Sequence, residues 1–136
     1  MYNRILVPLA LNHGISAETL GVAKALCAPG GQIIALHVFE VPQGSFRAYI
    51  GEETLAKGFA HAKEVLAEKT ADLDGVNTAI TQGHASREII TYATAHDVDC
   101  IVIGSHKPDL TDLLLGSTAA RVVRHAPCAV HVHRDS

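Results

Sequence analysis

Residues 97–133 read DVDCIVIGSHKPDLTDLLLGSTAARVVRHAPCAVHVH, and the order of elements in this stretch decides the fold. Cys100–Ile103 is a short apolar, β-branched run of the kind a strand buried on both faces shows. Gly104 ends it, and an eleven-residue loop, Ser105 to Leu115, comes next. Gly116-Ser117-Thr118 then opens a helix, Ala119 to His125, which Pro127 stops, and Cys128–His133 is predicted as a last strand. Glycine at a strand's end lets a ligand approach the backbone, and a Gly-Ser-Thr helix start offers unpaired N–H groups and hydroxyls to an anion. The same triplet is an ordinary helix start. A phosphate site and a plain cap both stand on this pattern alone.

Upstream, the chain repeats the alternation. Asn3–Leu11 is a largely apolar run bounded by Asn12-His13-Gly14, with Pro8 near its carboxyl end. Ser16 caps a helix predicted through Ala28, with Leu20, Ala23 and Cys27 on one face, until Pro29-Gly30-Gly31 breaks it. Gln32–Val41 is a second strand and Pro42–Gly51 a loop carrying Phe46, Arg47 and Tyr49. A longer helix spans Glu52 to Leu73, with Leu55, Phe59, Ala62 and Leu66 at helical spacing. After the Asp74-Gly75 turn, Val76–Gln82 is a third strand, and Ser86–His96 a helix buried through Ile89, Ile90 and Ala93. Five strands alternating with four helices predict an α/β fold, a parallel sheet with helices on both faces. In such sheets ligands sit at the carboxyl ends of strands, where the strand order reverses. Pro8–Asn12, Val38–Val41 and Gly104–His106 all lie at carboxyl ends. The pattern does not say which strand neighbours which.

Composition narrows the function. The 136 residues suit a single domain over residues 1–136, with 48% apolar content but few aromatics and no Trp, so the core is aliphatic. A formal net charge of −3 argues against a nucleic-acid partner. No apolar run approaches the roughly twenty residues that span a bilayer, and no signal-peptide pattern precedes the first strand. Cys27, Cys100 and Cys128 are odd in number and set among apolar residues, so reduced core thiols and a cytoplasmic location are expected.

Several chemistries find no support. There is no GxxxxGK[ST] loop, no GxGxxG after the first strand and no GxSxG elbow. Of the nine histidines, His131 and His133 alternate with Val130 and Val132 and share one strand face, without Cys or carboxylate ligands nearby in sequence. His125 suits the negative end of a helix dipole. His37, inside a strand, reads as a satisfied core residue. His106 stands where a ligand would sit, directly after Gly104. With no nucleophile–base pair or metal set, the chain is not expected to be an enzyme.

The segments VDCIVIGSH and LLLGSTAARVVRHAPCAVHVH resemble the C-terminal signature of the universal stress protein family, and NRILVPLAL and IIALHVFEV resemble its first two strands. The resemblance extends over essentially the whole chain. It implies a Rossmann-like sheet of the adenine nucleotide alpha hydrolase type, order 3-2-1-4-5, in which the first and fourth strands flank the reversal. It also implies ATP or AMP as ligand, with or without magnesium, cradled by G-x2-G-x9-G-[ST]; any ATP hydrolysis is expected to be slow. Transferred by position, the implied contacts are Pro8, Leu9, Ala10, Val38, Gly104, Ser105, His106, Lys107, Gly116, Ser117 and Thr118. Gly104 matches the first glycine and Gly116-Ser117 the last pair. Lys107 replaces the middle glycine in a spacing one residue shorter, a form similar to the F/G branch of the family. Ala10 stands where nucleotide-binding members carry aspartate, and Val38 where backbone reads adenine.

Two readings remain. One is an adenine-nucleotide-binding stress-response protein whose nucleotide tunes conformation or assembly. The other is a dimeric protein-interaction module with a degenerate pocket. Ala10 and the shortened loop favour the second, and Val38, Gly104 and Gly116-Ser117 the first. The resemblance also implies a homodimer through the last strand, an edge otherwise left open.

Overall fold

The computed structural model describes residues 1–11, 14–41, 49–105 and 116–134. Its elements are β1 (Tyr2–Pro8), α1 (Ala17–Leu26), β2 (Cys27–Phe39), α2 (Glu52–Thr70), β3 (Val76–Gln82), α3 (Ala85–Ala95), β4 (Cys100–Ser105), α4 (Ser117–His125) and β5 (Ala129–Arg134). The five strands form one sheet in the order β3-β2-β1-β4-β5, and every pairing is parallel.

Alternation along the strands sorts the core onto two faces. Leu6, Leu36, Ile101 and Ile103 point to one side, where Ile89 and Ala93 of α3 and Ala119 and Val122 of α4 cover them. Ile5, Val7, Ile33, Cys100 and Val102 point to the other, against Ala23 of α1. Leu9 and Ala35 meet Leu66 of α2. Helices thus lie on both faces, as the alternation of elements requires. Ile5, Leu6, Ile101 and Val122 are fully excluded from solvent, and each such aliphatic side chain contributes roughly 1.5–3 kcal/mol.

The boundaries shift from those expected in identifiable places. Ser16 caps α1, its hydroxyl accepting from Thr19 N–H at 3.0 Å. The helix ends at Leu26 rather than Ala28, because Cys27 is already extended (φ −79°, ψ 128°) and pairs with Tyr2. Residues 27–31 therefore belong to β2, with an irregularity in register where Tyr2 pairs with Cys27 but Arg4 with Gln32. Gly30 takes φ +80° there, and a Cβ at Gly31 would stand 2.8 Å from Cys27 Sγ and 3.0 Å from the Asn3 carbonyl oxygen. Glycine is needed at both places. β2 ends at Phe39 rather than Val41, α2 at Thr70 rather than Leu73, and α3 occupies Ala85–Ala95. Of the α3 residues expected to be buried, Ile89 and Ala93 are; Ile90 is partly exposed. β4 runs on through Ser105, and β5 begins one residue late. The rest of the expected 105–115 loop, with His106 and Lys107, and residues 42–48 of the aromatic loop lie outside the described residues.

The contact between β1 and β4 is the shortest in the sheet. Only Ile5↔Cys100 and Leu6↔Ile101 pair, against six positions between β4 and β5 and seven between β2 and β3. Asp99 reinforces this contact at its lower end. Its Oδ2 accepts from Asn3 N–H and its Oδ1 from Arg4 N–H, both at 2.8 Å. Its own N–H donates to the Arg4 carbonyl at 3.0 Å. Arg4 Nη1 in turn donates to the His96 carbonyl at 2.9 Å. Burial acts to raise the Asp99 pKa, but the backbone N–H donors of Asn3, Arg4 and Asp99 itself, together with the chain's amino terminus, hold it below the ordinary value.

Candidate functional site

Beyond Leu6 the ladder between β1 and β4 stops, and a cavity of about 600 Å³ opens at the carboxyl ends of the strands. β1 and its continuation contribute Pro8, Leu9 and Ala10. β2 and the residues after it contribute Leu36, His37, Val38 and Glu40, while β4 contributes Ile103 and Gly104. Ala85 and Ile89 of α3 close one side, and Gly116 with Ser117, Thr118 and Ala119 of α4 form another wall. This is the crevice at the reversal of strand order where open α/β sheets place ligands.

The start of α4 is the polar feature of that wall. Gly116 caps it in an extended conformation (φ −63°, ψ 159°), with no side-chain capping bond and no acid in the first turn. The first bond of the helix runs from Ala120 N–H to the Gly116 carbonyl at 2.9 Å. The N–H groups of Ser117, Thr118 and Ala119 therefore have no helical acceptor. Arg124 and His125 occupy the last turn, so the helix's charges complement its dipole at one end only.

Across the cavity, Leu9 N–H donates to the Leu36 carbonyl at 2.9 Å, locking the end of β1 to β2. His37 Nδ1 lies 3.1 Å from the Leu9 carbonyl oxygen. A carbonyl only accepts, so Nδ1 carries the proton, and a neutral ring keeps Nε2 as an acceptor. The partner expected for His37 as a satisfied residue exists, yet the residue also lines the cavity. The Ala10 carbonyl accepts from Gly14 N–H at 2.8 Å, and Gly14 takes φ +69° in the turn so formed.

Eight of the eleven residues singled out from sequence surround this one cavity: Pro8, Leu9, Ala10, Val38, Gly104, Gly116, Ser117 and Thr118. Ser105 ends β4. His106 and Lys107 lie outside the described residues. Sequence reasoning missed His37 and Glu40 as lining residues. Their position at the end of β2 was the available signal, since the order implied by the resemblance already put that end beside β1. Glu40 is the one carboxylate among the described lining residues.

The described residues offer little for covalent chemistry. Burial raises the Cys100 thiol to a pKa of about 11, with Cys128 and Asp99 adding to the rise, and burial likewise raises Cys128. Both are protonated at neutral pH, and the three cysteines are unbridged. Among the described residues no group of three or more His, Cys, Asp or Glu is placed to hold a metal ion. None of the described helices is long and apolar enough to cross a membrane.

A five-stranded parallel sheet in the order 3-2-1-4-5, with a crevice at its reversal walled by an open helix start, defines a Rossmann-like α/β domain. The sequence profile of the universal stress protein family matches residues 1–134. A universal stress protein of Methanothermobacter thermautotrophicus is 28% identical, covering 98% of this chain and 97% of its own length. Universal stress protein G of Salmonella typhimurium is also 28% identical, over 98% of this chain and 100% of its own. Among solved structures, universal stress protein UspA from Lactobacillus plantarum superposes with a TM-score of 0.70 at 26% identity, covering 98% of both chains. This chain belongs to the universal stress protein family.

Proposed function

We propose that the chain binds an adenine nucleotide, ATP or AMP, in the cavity between β1 and β4. The phosphates lie on the start of α4, and the base lies beside Val38. The observation that carries this reading is the uncapped, acid-free start of α4, aimed at the same cavity that the ends of β1, β2 and β4 line. Backbone N–H groups and a helix dipole favour a phosphate there. Two more distant relatives, which share the fold at 16% and 18% identity, were solved with AMP and with cAMP bound. The bound nucleotide then acts as a regulator of conformation or assembly in a stress-response protein.

The test is mass spectrometry of nucleotide released from the denatured protein, followed by calorimetry with ATP and AMP. In the Gly116→Val variant an added Cβ meets nothing within 4 Å among the described residues, so the variant should fold while its side chain obstructs backbone approach to the phosphate. Loss of binding is the expected result. Unchanged ATP affinity in folded Gly116→Val would move the ligand elsewhere.

Ala10 favours a second reading, an interaction module without nucleotide, because it presents no side-chain acceptor to a ribose. In that reading β5, an edge of the sheet, pairs with its copy across a two-fold axis. A monomer by light scattering at micromolar concentration would exclude it. His131 is exposed on β5, whereas His133 Nε2 stands 3.4 Å from Glu18 of α1.

A further inference from the structure

We propose that the groove between α3 and α4 is a second anion site, built for a phosphoryl dianion and separate from the nucleotide cavity. It is a cavity of about 270 Å³ lined by Ser86, Arg87, Ile90 and Thr91 of α3 and by Arg121 and His125 of α4. Arg87 and Thr91 are four residues apart, as are Arg121 and His125, so each pair shares one face of its helix. Two basic faces meet across one groove in a chain whose formal net charge is −3.

Among the described residues neither arginine forms an ion pair: the side-chain pairs are Lys57–Glu53 and His133–Glu18, both away from the groove. Glu88, the acid next to Arg87, turns its side chain against Gly83 instead. Arg87 and Arg121 bring two like charges to one groove, and an anion held between them would attract both and offset their mutual repulsion. A carboxylate carries one charge and answers one fork. A phosphoryl group carries close to two negative charges at neutral pH and three acceptor oxygens, so both forks can bind it. Thr91 adds a hydroxyl, while the Ser86 hydroxyl already lies 3.2 Å from His84 Nδ1. The groove has less than half the volume of the first cavity, which suits a phosphoryl group rather than a whole nucleotide. The two sites share helices but, among the described residues, no lining residue: Ala85 and Ile89 line the first, Ser86 and Ile90 the second.

Titration of inorganic phosphate against the amide NMR spectrum, with sodium chloride holding ionic strength constant, tests this. Saturable shifts are expected at residues 86–91 and 121–125. Arg87→Gln and Arg121→Gln should each weaken that response roughly tenfold, since each removes a charge-assisted contact. Urea unfolding of both variants confirms that they remain folded. A phosphoserine peptide titrated in parallel identifies the source. Tighter binding than free phosphate assigns the site to a phosphorylated protein segment, and equal binding assigns it to a small anion. Shifts confined to residues 8–10, 36–40 and 116–119, shifts that grow without saturating, or affinities unchanged in both variants would overturn the proposal.

Discussion

Placing a carboxylate at position 117 should make the protein more stable and its nucleotide affinity weaker, two effects of opposite sign from one substitution. Ser117 is exposed, opens α4 and lines the cavity, and the first turn of that helix holds no acid. In Ser117→Asp the new charge meets the positive end of the helix dipole, worth about 0.3–1 kcal/mol to the free protein. A phosphate held on the N–H groups of the same turn would lie about 5 Å from that carboxylate. Coulomb repulsion there is about 1–3 kcal/mol per phosphate charge at effective dielectric constants between those of water and a protein surface. Affinity for ATP should therefore fall roughly five- to hundredfold. Urea unfolding without ligand measures the first effect and calorimetry with ATP the second. Ser117→Asn, uncharged and of similar size, serves as control. Raising salt should narrow the difference in affinity, because exposed charges are screened over about 10 Å at ordinary ionic strength. A stabilised Ser117→Asp variant that binds ATP as well as the parent would show that no phosphate rests on α4.

Three further outcomes are expected. Asp99→Asn should cost about 1–2 kcal/mol at neutral pH, two charge-assisted bonds discounted for solvent exposure. Because the folded pKa of Asp99 is depressed, its contribution is complete above about pH 4, the ordinary carboxylate value, and is lost as pH falls through the folded value. Parent and variant unfolding curves should converge in acid, and a gap independent of pH would contradict this role. Ile101→Ala, at a side chain with no exposed surface, should cost about 2–5 kcal/mol with an unchanged dependence on urea. Lys107→Ala should weaken ATP more than AMP and reduce the salt sensitivity of ATP binding, and equal losses of both by calorimetry would show that Lys107 does not read the outer phosphates.

The existence and type of β1, β2 and β4 were legible because these strands are buried on both faces and read as apolar runs. Val76–Gln82 was placed to the residue, bounded by Asp74-Gly75 and Gly83. Pro29-Gly30-Gly31 misled, since breakers set an outer limit to a helix without fixing the residue at which it ends. Here the chain is already in β2 by Cys27, held by pairing with Tyr2, a contact made across the fold that no local pattern records. Strand order came from family resemblance, not periodicity, and it is what brings Ala10, Val38, Gly104 and Gly116 to one cavity. The same reasoning explains His37. Within its own strand it read as a core residue, and only the neighbouring end of β1 gives it both a carbonyl partner and a place in the cavity wall.

The two-position ladder between β1 and β4 makes that junction the seam of the sheet, with β3-β2-β1 on one side and β4-β5 on the other. Each half is stitched internally by six or seven paired positions, so the seam is where the sheet parts at least cost. A nucleotide bound there as proposed would touch both halves and act as a rivet. Its occupancy would be stored as mechanical cohesion, rising with nucleotide concentration by mass action. The protein's resistance to being pulled apart would then gauge how much of that nucleotide surrounds it.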